Sequence, residues 1–570
     1  MIANERDTNK LIPAFLRSYD TFIGLLVLAF FCLSLVGIVN HEMWLDELQA
    51  WLIARDSSSV IDLFKNLKYE GHPGLWHICL YLISRFTYSP ISMQLFHLMI
   101  ATGVIYLFIK FSPFTRLQKV LFAFGYFPFY EYSIISRNYA LGVLFIFLFC
   151  ALFKTTSKSY IFLACILGLL ANTNIYGLII AIVLGIALIL ECILFKETIK
   201  LFKLRNWDLI ISGLIALSGI LISIIQIIPP PDASFSPGWT TDLQIERLAK
   251  VIVTIGKSYV PLPNFFKYQF WNSSLLTIGT IVGGLSTVFS LGILTFAIVI
   301  FLQKPVVFFM YITGTFGMLS FMYLKYIGSL RHCGHLFIWF ITCLWISSYY
   351  VKSNLIIDFI ESIFPRFSRA INKLNTLFSK YKKKVIMAIL CTHVVAGIFA
   401  FTMDFYYPFS LTKEVARFID NQRMKDIVVV GDIDYINYLG PPLSAHFGKK
   451  IYYLGGHSSG LGSFLVWDKS RGYIRTQNSF QFFDRIDKYL TTKDEDKDML
   501  LVLKHKVEDC KNRKPDSLLE NLDSEIEGSG DYCWSSTTYS VSQISEFNNG
   551  LISDENPGIY LYLIKSPKKR

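Results

Sequence analysis

The chain is poor in charged residues. Lys, Arg, Asp and Glu make up 17% of its 570 residues, whereas soluble domains carry about 25%. Together with 53% hydrophobic residues and a mean hydropathy of +0.45, this shortage argues against a soluble enzyme and indicates a membrane protein. The sequence also lacks internal repeats, zinc-type Cys/His spacing and a Gly-rich nucleotide-binding loop. These absences argue against repeat arrays, zinc modules and dinucleotide-binding domains.

The sequence shows no cleavable signal peptide, and few of its cysteines are placed to form a disulfide bond. The first apolar run, 21–39, is followed by Asn40-His41-Glu42 rather than by small residues, so we expect an uncleaved signal-anchor helix. Of the ten cysteines, eight lie in or beside apolar runs, where Cys acts as a small hydrophobic residue. Cys510 and Cys533 alone lie in the polar C-terminal part, and they could pair if that part faces an oxidising compartment.

Long apolar runs are abundant, and we predict that eleven of them cross the membrane. They are 21–39, 91–109, 117–134, 139–153, 159–171, 175–195, 207–228, 273–302, 305–324, 335–351 and 385–403. Lys and Arg recur in alternate loops, most strongly in 352–384, which predicts a cytoplasmic N-terminus. The net charge of +12 is therefore assigned to cytoplasmic loops rather than to nucleic-acid binding. The run 73–88 is predicted to be a re-entrant or interfacial helix, because a crossing there would invert every later loop.

The C-terminal part alternates short β-prone runs with helix-like segments, which predicts a small α/β domain. The predicted strands are 427–432, 450–454, 463–467, 499–503 and 559–563, and the predicted helices are 413–422 and 480–490. The fold class is therefore a polytopic α-helical membrane protein with a C-terminal extracytoplasmic α/β domain. We divide it into a cytoplasmic N-terminus (1–20), a transmembrane catalytic domain (21–403) and the α/β domain (404–570).

Two adjacent acids, Asp46 and Glu47, follow the first apolar run. Their apolar neighbours predict an amphipathic helix on the membrane surface. An acid held in such a helix is partly withdrawn from water, which suits a general base. The alternative is a solvated acidic pair at a helix end. Successive helical positions point about 100° apart, so Glu47 is assigned to catalysis less firmly than Asp46.

The same outer loop ends with Glu70 and His72, in a turn that Gly71 and Pro73 produce. These two side chains could contact a phosphate or substrate, bind a divalent metal, or shape the turn. Two ligands without a third are a weak metal signal. Substrate contact is preferred, and metal dependence stays open.

Cationic side chains lie at later helix ends predicted to face the same side. Arg137 and Tyr139 follow one helix, and Arg331 and His332 begin another. Arginine offers phosphate a planar, permanently charged donor, and a helix N-terminus favours anions. Alternatively, Arg137 could extend to lipid headgroups.

Two further features concern the same outer side. Glu131 is expected to orient Arg137. The long outer loop 229–272, with Trp239 and Trp271, is either a lid over the site or a structural loop.

Three motifs in the first ~150 residues resemble the GT-C superfamily of membrane glycosyltransferases, nearest to its protein mannosyltransferase-like and aminoarabinose transferase-like bacterial branch. They are Trp44-Leu-Asp-Glu47, His72-Pro-Gly-Leu-Trp76 and Ser136-Arg-Asn-Tyr139. Pro73-Gly74 departs from the two prolines frequent in that branch, and the C-terminal part does not match. The resemblance implies that Asp46 is the catalytic residue and that a polyprenyl-phosphate sugar is the donor.

The sequence thus predicts an inner-membrane glycosyltransferase that transfers a hexose or pentose to a glycan, lipid or protein acceptor. No cofactor is required in this scheme, although a divalent metal is possible, and nucleic acid is not a partner. The rival class is a lipid or glycan flippase. It predicts internal repeats and charges near the middle of the bilayer, whereas this chain gathers its charges at one interface.

Overall fold

The structure is a computed structural model of the whole chain. It describes residues 18–153, 159–194, 206–233, 238–424, 427–432, 439–454, 460–467, 486, 498–503, 506–509, 532–534, 539–552 and 558–565. The predicted helix 480–490 and Cys510 lie outside these residues, apart from the single position Ile486.

Helices make up most of the described chain up to Tyr406. They are α1 (Tyr19–Asn40), α2 (Leu45–Asp56), α3 (Val60–Leu67), α4 (Leu75–Ser84), α5 (Ile91–Phe111), α6 (Arg116–Ala123), a π-helical turn (Tyr126–Glu131), α7 (Tyr139–Phe153), α8 (Tyr160–Ala171), α9 (Ile175–Leu194), α10 (Asn206–Ile227), α11 (Ile245–Tyr259), a 3₁₀ turn (Leu275–Thr277), α12 (Gly279–Phe301), α13 (Pro305–Leu324), α14 (Leu330–Ser347), α15 (Leu355–Ile363) and α16 (Pro365–Tyr406).

Six of the described helices, α1, α5, α10, α12, α13 and α16, are long and apolar enough to cross a membrane. Their lipid-suited composition confirms a polytopic helical membrane protein. Helix α4 has 10 residues and is about 15 Å long, half of the roughly 30 Å that a bilayer core requires. Helices α7 and α8 are also short although their runs are predicted to cross, so the non-crossing of 73–88 stays a prediction. The basic segment 352–384, predicted as a loop, is instead largely helical in α15 and the first half of α16.

The run 117–134 is not one crossing helix, contrary to prediction. Helix α6 ends at Ala123, and a π-helical turn follows. Pro128 within that turn lacks the N–H that a continuous α-helix requires. Gly125 lies against α16, where an added Cβ would come within 3.1 Å of His393 Cβ. The segment therefore runs through the protein interior as irregular backbone and leads to Arg137.

Helix α2 does not lie on the membrane surface as predicted. Leu48, Trp51, Leu52 and Ile53 are fully buried, because α2 packs between α4 and a helix of the C-terminal domain. The apolar pattern that suits a lipid surface is here used for protein packing.

The C-terminal domain is an α/β unit, as predicted. It contains α17 (Thr412–Asn421), β1 (Val428–Asp432), α18 (Gly440–Phe447), β2 (Ile451–Leu454), β3 (Gly460–Gly462), β4 (Met499–Leu503), β5 (Val507–Asp509), β6 (Tyr532–Trp534), β7 (Ser540–Phe547) and β8 (Ile559–Lys565). Six strands form one sheet in the order β3-β2-β1-β4-β8-β7, and β5 pairs with β6.

Strand pairing in this sheet is parallel for β2-β1-β4 and antiparallel at both edges. β4 is buried along its whole length, as expected of a central strand. The predicted strand 463–467 is wrong. That segment has no regular secondary structure, and it lies against α2 instead.

Candidate active site

The Asp46 carboxylate contacts both predicted arginines. In the first turn of α2, its Oδ2 forms an ion pair with Arg137 Nη1 at 2.6 Å and accepts a hydrogen bond from Arg331 Nη2 at 3.3 Å. The Asp46 side chain is 25% exposed, and the arginine side chains are 12% and 13% exposed. Three segments that are remote in sequence thus meet in one partly wet cluster of charge.

Aromatic rings hold the two guanidinium groups in place. Arg331 lies 5.3 Å from the centre of the Trp44 ring and 5.2 Å from that of Trp271. Arg137 lies 5.8 Å from the Tyr139 ring. Such cation–π contacts orient a flexible side chain as well as stabilising it. Trp271 comes from the segment 229–272, which was predicted to be an outer loop but contains helix α11 (Ile245–Tyr259), so this segment contributes to the site.

Glu131 does not orient Arg137 as predicted. Its Oε2 accepts hydrogen bonds from the Tyr126 hydroxyl (2.9 Å) and from Trp271 Nε1 (3.2 Å). Since Trp271 packs on Arg331, Glu131 supports the other arginine, through an intervening ring.

Glu47 lies in a different environment from Asp46. It is fully buried, and its Oε1 accepts the backbone N–H of Ser136 at 2.6 Å. Its Oε2 accepts the backbone N–H of Trp44 and contacts His41 Nε2 at 3.1 Å. Glu47 thereby holds the backbone at Trp44, two residues before Asp46, and at Ser136, directly before Arg137. This geometry favours a positioning role over the predicted catalytic one.

His41 joins two buried carboxylates. Its Nδ1 contacts Asp404 Oδ2 at 2.8 Å, on the opposite side from Glu47. Burial by itself would lower the pKa of His41, but the charges of Asp404 and Glu47 outweigh it and raise the pKa to about 10. The imidazolium ties the end of α1, the start of α2 and the end of α16 together. Neither His41 nor Asp404 was singled out from the sequence.

Glu70 is half-buried beside the cluster. The Gln49 amide donates to its Oε1 at 3.0 Å. Withdrawal from water raises the pKa of Glu70 to about 7, and the nearby charge of Asp46 adds to the rise, while hydrogen bonds and Arg137 oppose it. A carboxyl with a pKa near neutrality can exchange a proton under physiological conditions.

His72 faces the same charges and is neutral. Burial and the positive charge of Arg137 lower its pKa to about 4. Its buried Nδ1 has no hydrogen-bond partner among the described residues. An unpaired buried polar atom is costly, so His72 is suited to a polar ligand.

His332 is not the cationic centre that the sequence offered. Its Nδ1 accepts the backbone N–H of Ser329 at 2.9 Å, and its Nε2 lies 3.0 Å from the Tyr139 hydroxyl. A ring nitrogen that accepts a hydrogen bond carries no proton, so the ring is neutral. Gly328, with φ of +78°, allows this cap, since an added Cβ would come within 3.0 Å of His332. His332 therefore fixes the start of α14 and the position of Tyr139.

Metal ligands do not cluster in the part of the chain that the structure describes. No group of three or more His, Cys, Asp or Glu side chains there could hold an ion. Glu70, one of the two candidate metal ligands named from the sequence, accepts a hydrogen bond from the Gln49 amide. Metal dependence stays an open prediction.

Comparisons with known proteins give a distant structural likeness. No protein-family model matches the chain, and no curated protein matches it. Among solved structures, the chain is similar to a crystal structure of ArnT from Cupriavidus metallidurans bound to undecaprenyl phosphate. The TM-score is 0.47 and the identity 10%, over 95% of this chain and 97% of that one. The chemistry of the site therefore has to be inferred from its own geometry.

Proposed function

We propose that the chain is a membrane glycosyltransferase that moves a sugar from a polyprenyl-phosphate donor to an acceptor hydroxyl at the extracytoplasmic face of a bacterial inner membrane. The observation that carries this proposal is the contact of Asp46 with both Arg137 and Arg331. One carboxylate can remove a proton, and two fixed guanidinium groups can stabilise a phosphate leaving group. The GT-C resemblance of the three motifs around Asp46, His72 and Arg137 supports the same chemistry.

The arginines have capacity for the donor phosphate. Each guanidinium carries five N–H donors, of which the contact with Asp46 uses one in each case. Planar N–H pairs match phosphate oxygens. A monophosphate bound here would compete with Asp46 for the two arginines and would draw them toward itself. Donor binding would thus free the carboxylate for its role as a base.

The reaction is a single displacement. Asp46 takes the proton of the acceptor hydroxyl, and the acceptor oxygen forms a bond to the anomeric carbon of the sugar. The bond between that carbon and the phosphate oxygen breaks, and its electron pair leaves with polyprenyl phosphate. Arg137 and Arg331 stabilise the charge that develops on the phosphate. Attack from the face opposite the leaving group inverts the anomeric configuration.

The remaining predicted residues act around this step. Glu70, His72 and Tyr139 bind the sugar or acceptor, and His332 positions Tyr139 by its contact at 3.0 Å. Glu47 holds the backbone near Asp46 and Arg137 in place by accepting hydrogen bonds from the N–H groups of Trp44 and Ser136. No step in this scheme needs a metal.

The test is Asp46→Asn, assayed in membranes with a panel of radiolabelled polyprenyl-phosphate sugars. Loss of a general base lowers the rate by about 10²–10⁴-fold. Asp358→Asn is the matched control, since Asp358 is an exposed acid in α15 and its loss should leave transfer unchanged. Undiminished transfer by Asp46→Asn would remove the assigned base. Lipid transport without a glycosylated product would favour the flippase.

A further inference from the structure

The C-terminal domain contacts the site through one amide side chain. Gln49 Nε2 donates to the carbonyl of Leu465 at 2.8 Å, and Gln49 Oε1 accepts the N–H of Leu465 at 2.9 Å. The same Nε2 donates to Glu70 at 3.0 Å. Gln49 therefore fixes a backbone segment of the C-terminal domain and an acid of the candidate active site at the same time.

A second contact reaches Glu70 directly. The Trp467 side chain acts on the Glu70 carboxyl and favours its charged form, and the indole N–H of Trp467 can only donate a hydrogen bond. Trp467 lies two residues beyond Leu465, in the irregular segment that follows β3. This segment therefore acts on Glu70 in two ways, directly by Trp467 and indirectly by Gln49, which binds both Leu465 and Glu70.

The docking extends along α2. Ser463 lies near Asp56 at the end of the helix and helps to lower the pKa of that carboxyl, and α18 packs on the same helix. Ser463 and Leu465 are 4% and 8% exposed, so this part of the segment is buried against the membrane domain. The contact is therefore an interior surface of the protein.

Glu70 also shares the electrostatic environment of the reactive cluster. Its charged neighbours are Asp46, which repels its charge, and Arg137, which favours it. The charges of the two carboxyl groups thus interact, with the arginines next to Asp46 and the C-terminal segment next to Glu70.

We propose that residues 463–467 of the C-terminal domain form one wall of the active site, and that Gln49, which is hydrogen-bonded to Leu465, acts together with Trp467 to position Glu70 so that it binds the acceptor hydroxyl beside Asp46. This inference rests on the proposed function and assigns the C-terminal domain a part in it. The acceptor then enters between the two domains. A sugar or other hydroxyl-bearing acceptor fits a site with two adjacent carboxyl acceptors.

The first measurement needs no sugar transfer. Dicyclohexylcarbodiimide modifies protonated carboxyl groups, and mass spectrometry quantifies the Glu70 peptide after labelling of the full chain in membranes from pH 5 to 9. Trp467→Phe keeps the ring but removes the N–H donor. Since a hydrogen bond favours the charged carboxylate, the labelling midpoint should rise by about one pH unit. Gln49→Leu removes the other donor and should shift the midpoint in the same direction. Trp207→Phe, at an exposed position of α10, should keep the wild-type midpoint.

The second measurement is transfer from the radiolabelled donor to the acceptors present in native membranes. Trp467→Phe should lower it about tenfold, while Trp207→Phe should leave it unchanged. Unaltered labelling and transfer in both Trp467→Phe and Gln49→Leu would overturn the inference, even if the enzyme transfers sugar. Wild-type protein without any transfer would refute the proposed function, and with it the role of Trp467 in acceptor binding. A labelling shift in that case would still establish that the C-terminal domain holds Glu70.

Discussion

Replacing Glu47 by Gln separates positioning from catalysis in the acidic pair. Glu47, His41 and Asp404 are 0%, 3% and 6% exposed, so they form a buried network of charge. The substitution keeps the shape of Glu47 but leaves the imidazolium with one carboxylate. Breaking a buried ion pair in this way costs about 3–5 kcal/mol. Asp46→Asn, in a partly exposed cluster, should lower the melting temperature less and the rate of transfer more.

The pKa of His41 determines how the free energy of unfolding changes with pH. The pKa of His41 rises from 6.5 to about 10 on folding, so folding is favoured by protonation of this ring. At about 1.4 kcal/mol for each pH unit, the contribution is on the order of 5 kcal/mol below pH 6.5. It declines as the pH rises, to about 1 kcal/mol at pH 9, and disappears above the folded pKa. Wild-type protein should therefore lose stability steadily between pH 6.5 and 10.

The assay is thermal unfolding of the purified chain in detergent at pH 6, 7.5 and 9. Glu47→Gln should melt far below the wild type at pH 6, and the difference should shrink at pH 9, because the wild type has by then lost most of the His41 contribution. Glu246→Gln is the matched control. Glu246 is an exposed acid paired with Lys250 in α11, and such pairs contribute little to stability. A Glu47→Gln protein with the wild-type melting curve at every pH would refute the buried network.

The remaining predictions concern the arginines, the start of α14 and the acid beside them. Arg331→Lys should lower sugar transfer by about 10–100-fold, because lysine keeps the charge but loses the planar donor that lies between two indole rings. Transfer at the wild-type rate by this variant would argue against phosphate binding by Arg331. Gly328→Ala should destabilise the protein by about 1–2 kcal/mol, because φ is +78° there, and should also reduce transfer by displacing His332; a normal melting curve would contradict the strain. Transfer by the wild type should fall as the pH drops through about 7, where Glu70 becomes protonated. In Glu70→Gln this step in the pH–rate profile should vanish, and its persistence would assign it to another group.

Asp46 and Arg137 were predictable from the sequence because each stands out against apolar surroundings. Charges beside membrane helices are costly and tend to mark function. Their placement on one side followed from the loops alone. The π-helical break after α6 was not predictable in the same way. The run 117–134 is apolar throughout, so hydropathy predicts one helix, while Pro128 and the close approach of Gly125 to α16 decide otherwise.

Several groups that shape the site were not predictable from the sequence. His41 and Asp404 are 363 positions apart, and Gln49 and Leu465 are 416 apart. None of these four belongs to a motif, and an amide or a lone histidine is ordinary in a loop. The apolar pattern of α2 fits a lipid surface and a protein interior equally well. Only the position of the C-terminal domain distinguishes the two.

Composition and apolar runs by themselves determined the membrane class, the α/β nature of the C-terminal part and the main acid and arginines, because burial in lipid constrains every residue along the chain. Tertiary structure alone decided which charges touch. It paired Asp46 with two arginines, placed Glu47 in a buried network with His41, made His332 a neutral cap and brought Trp467 to Glu70. These outcomes depend on distances of about 3 Å between remote segments, and periodicity along a sequence carries no information about such distances.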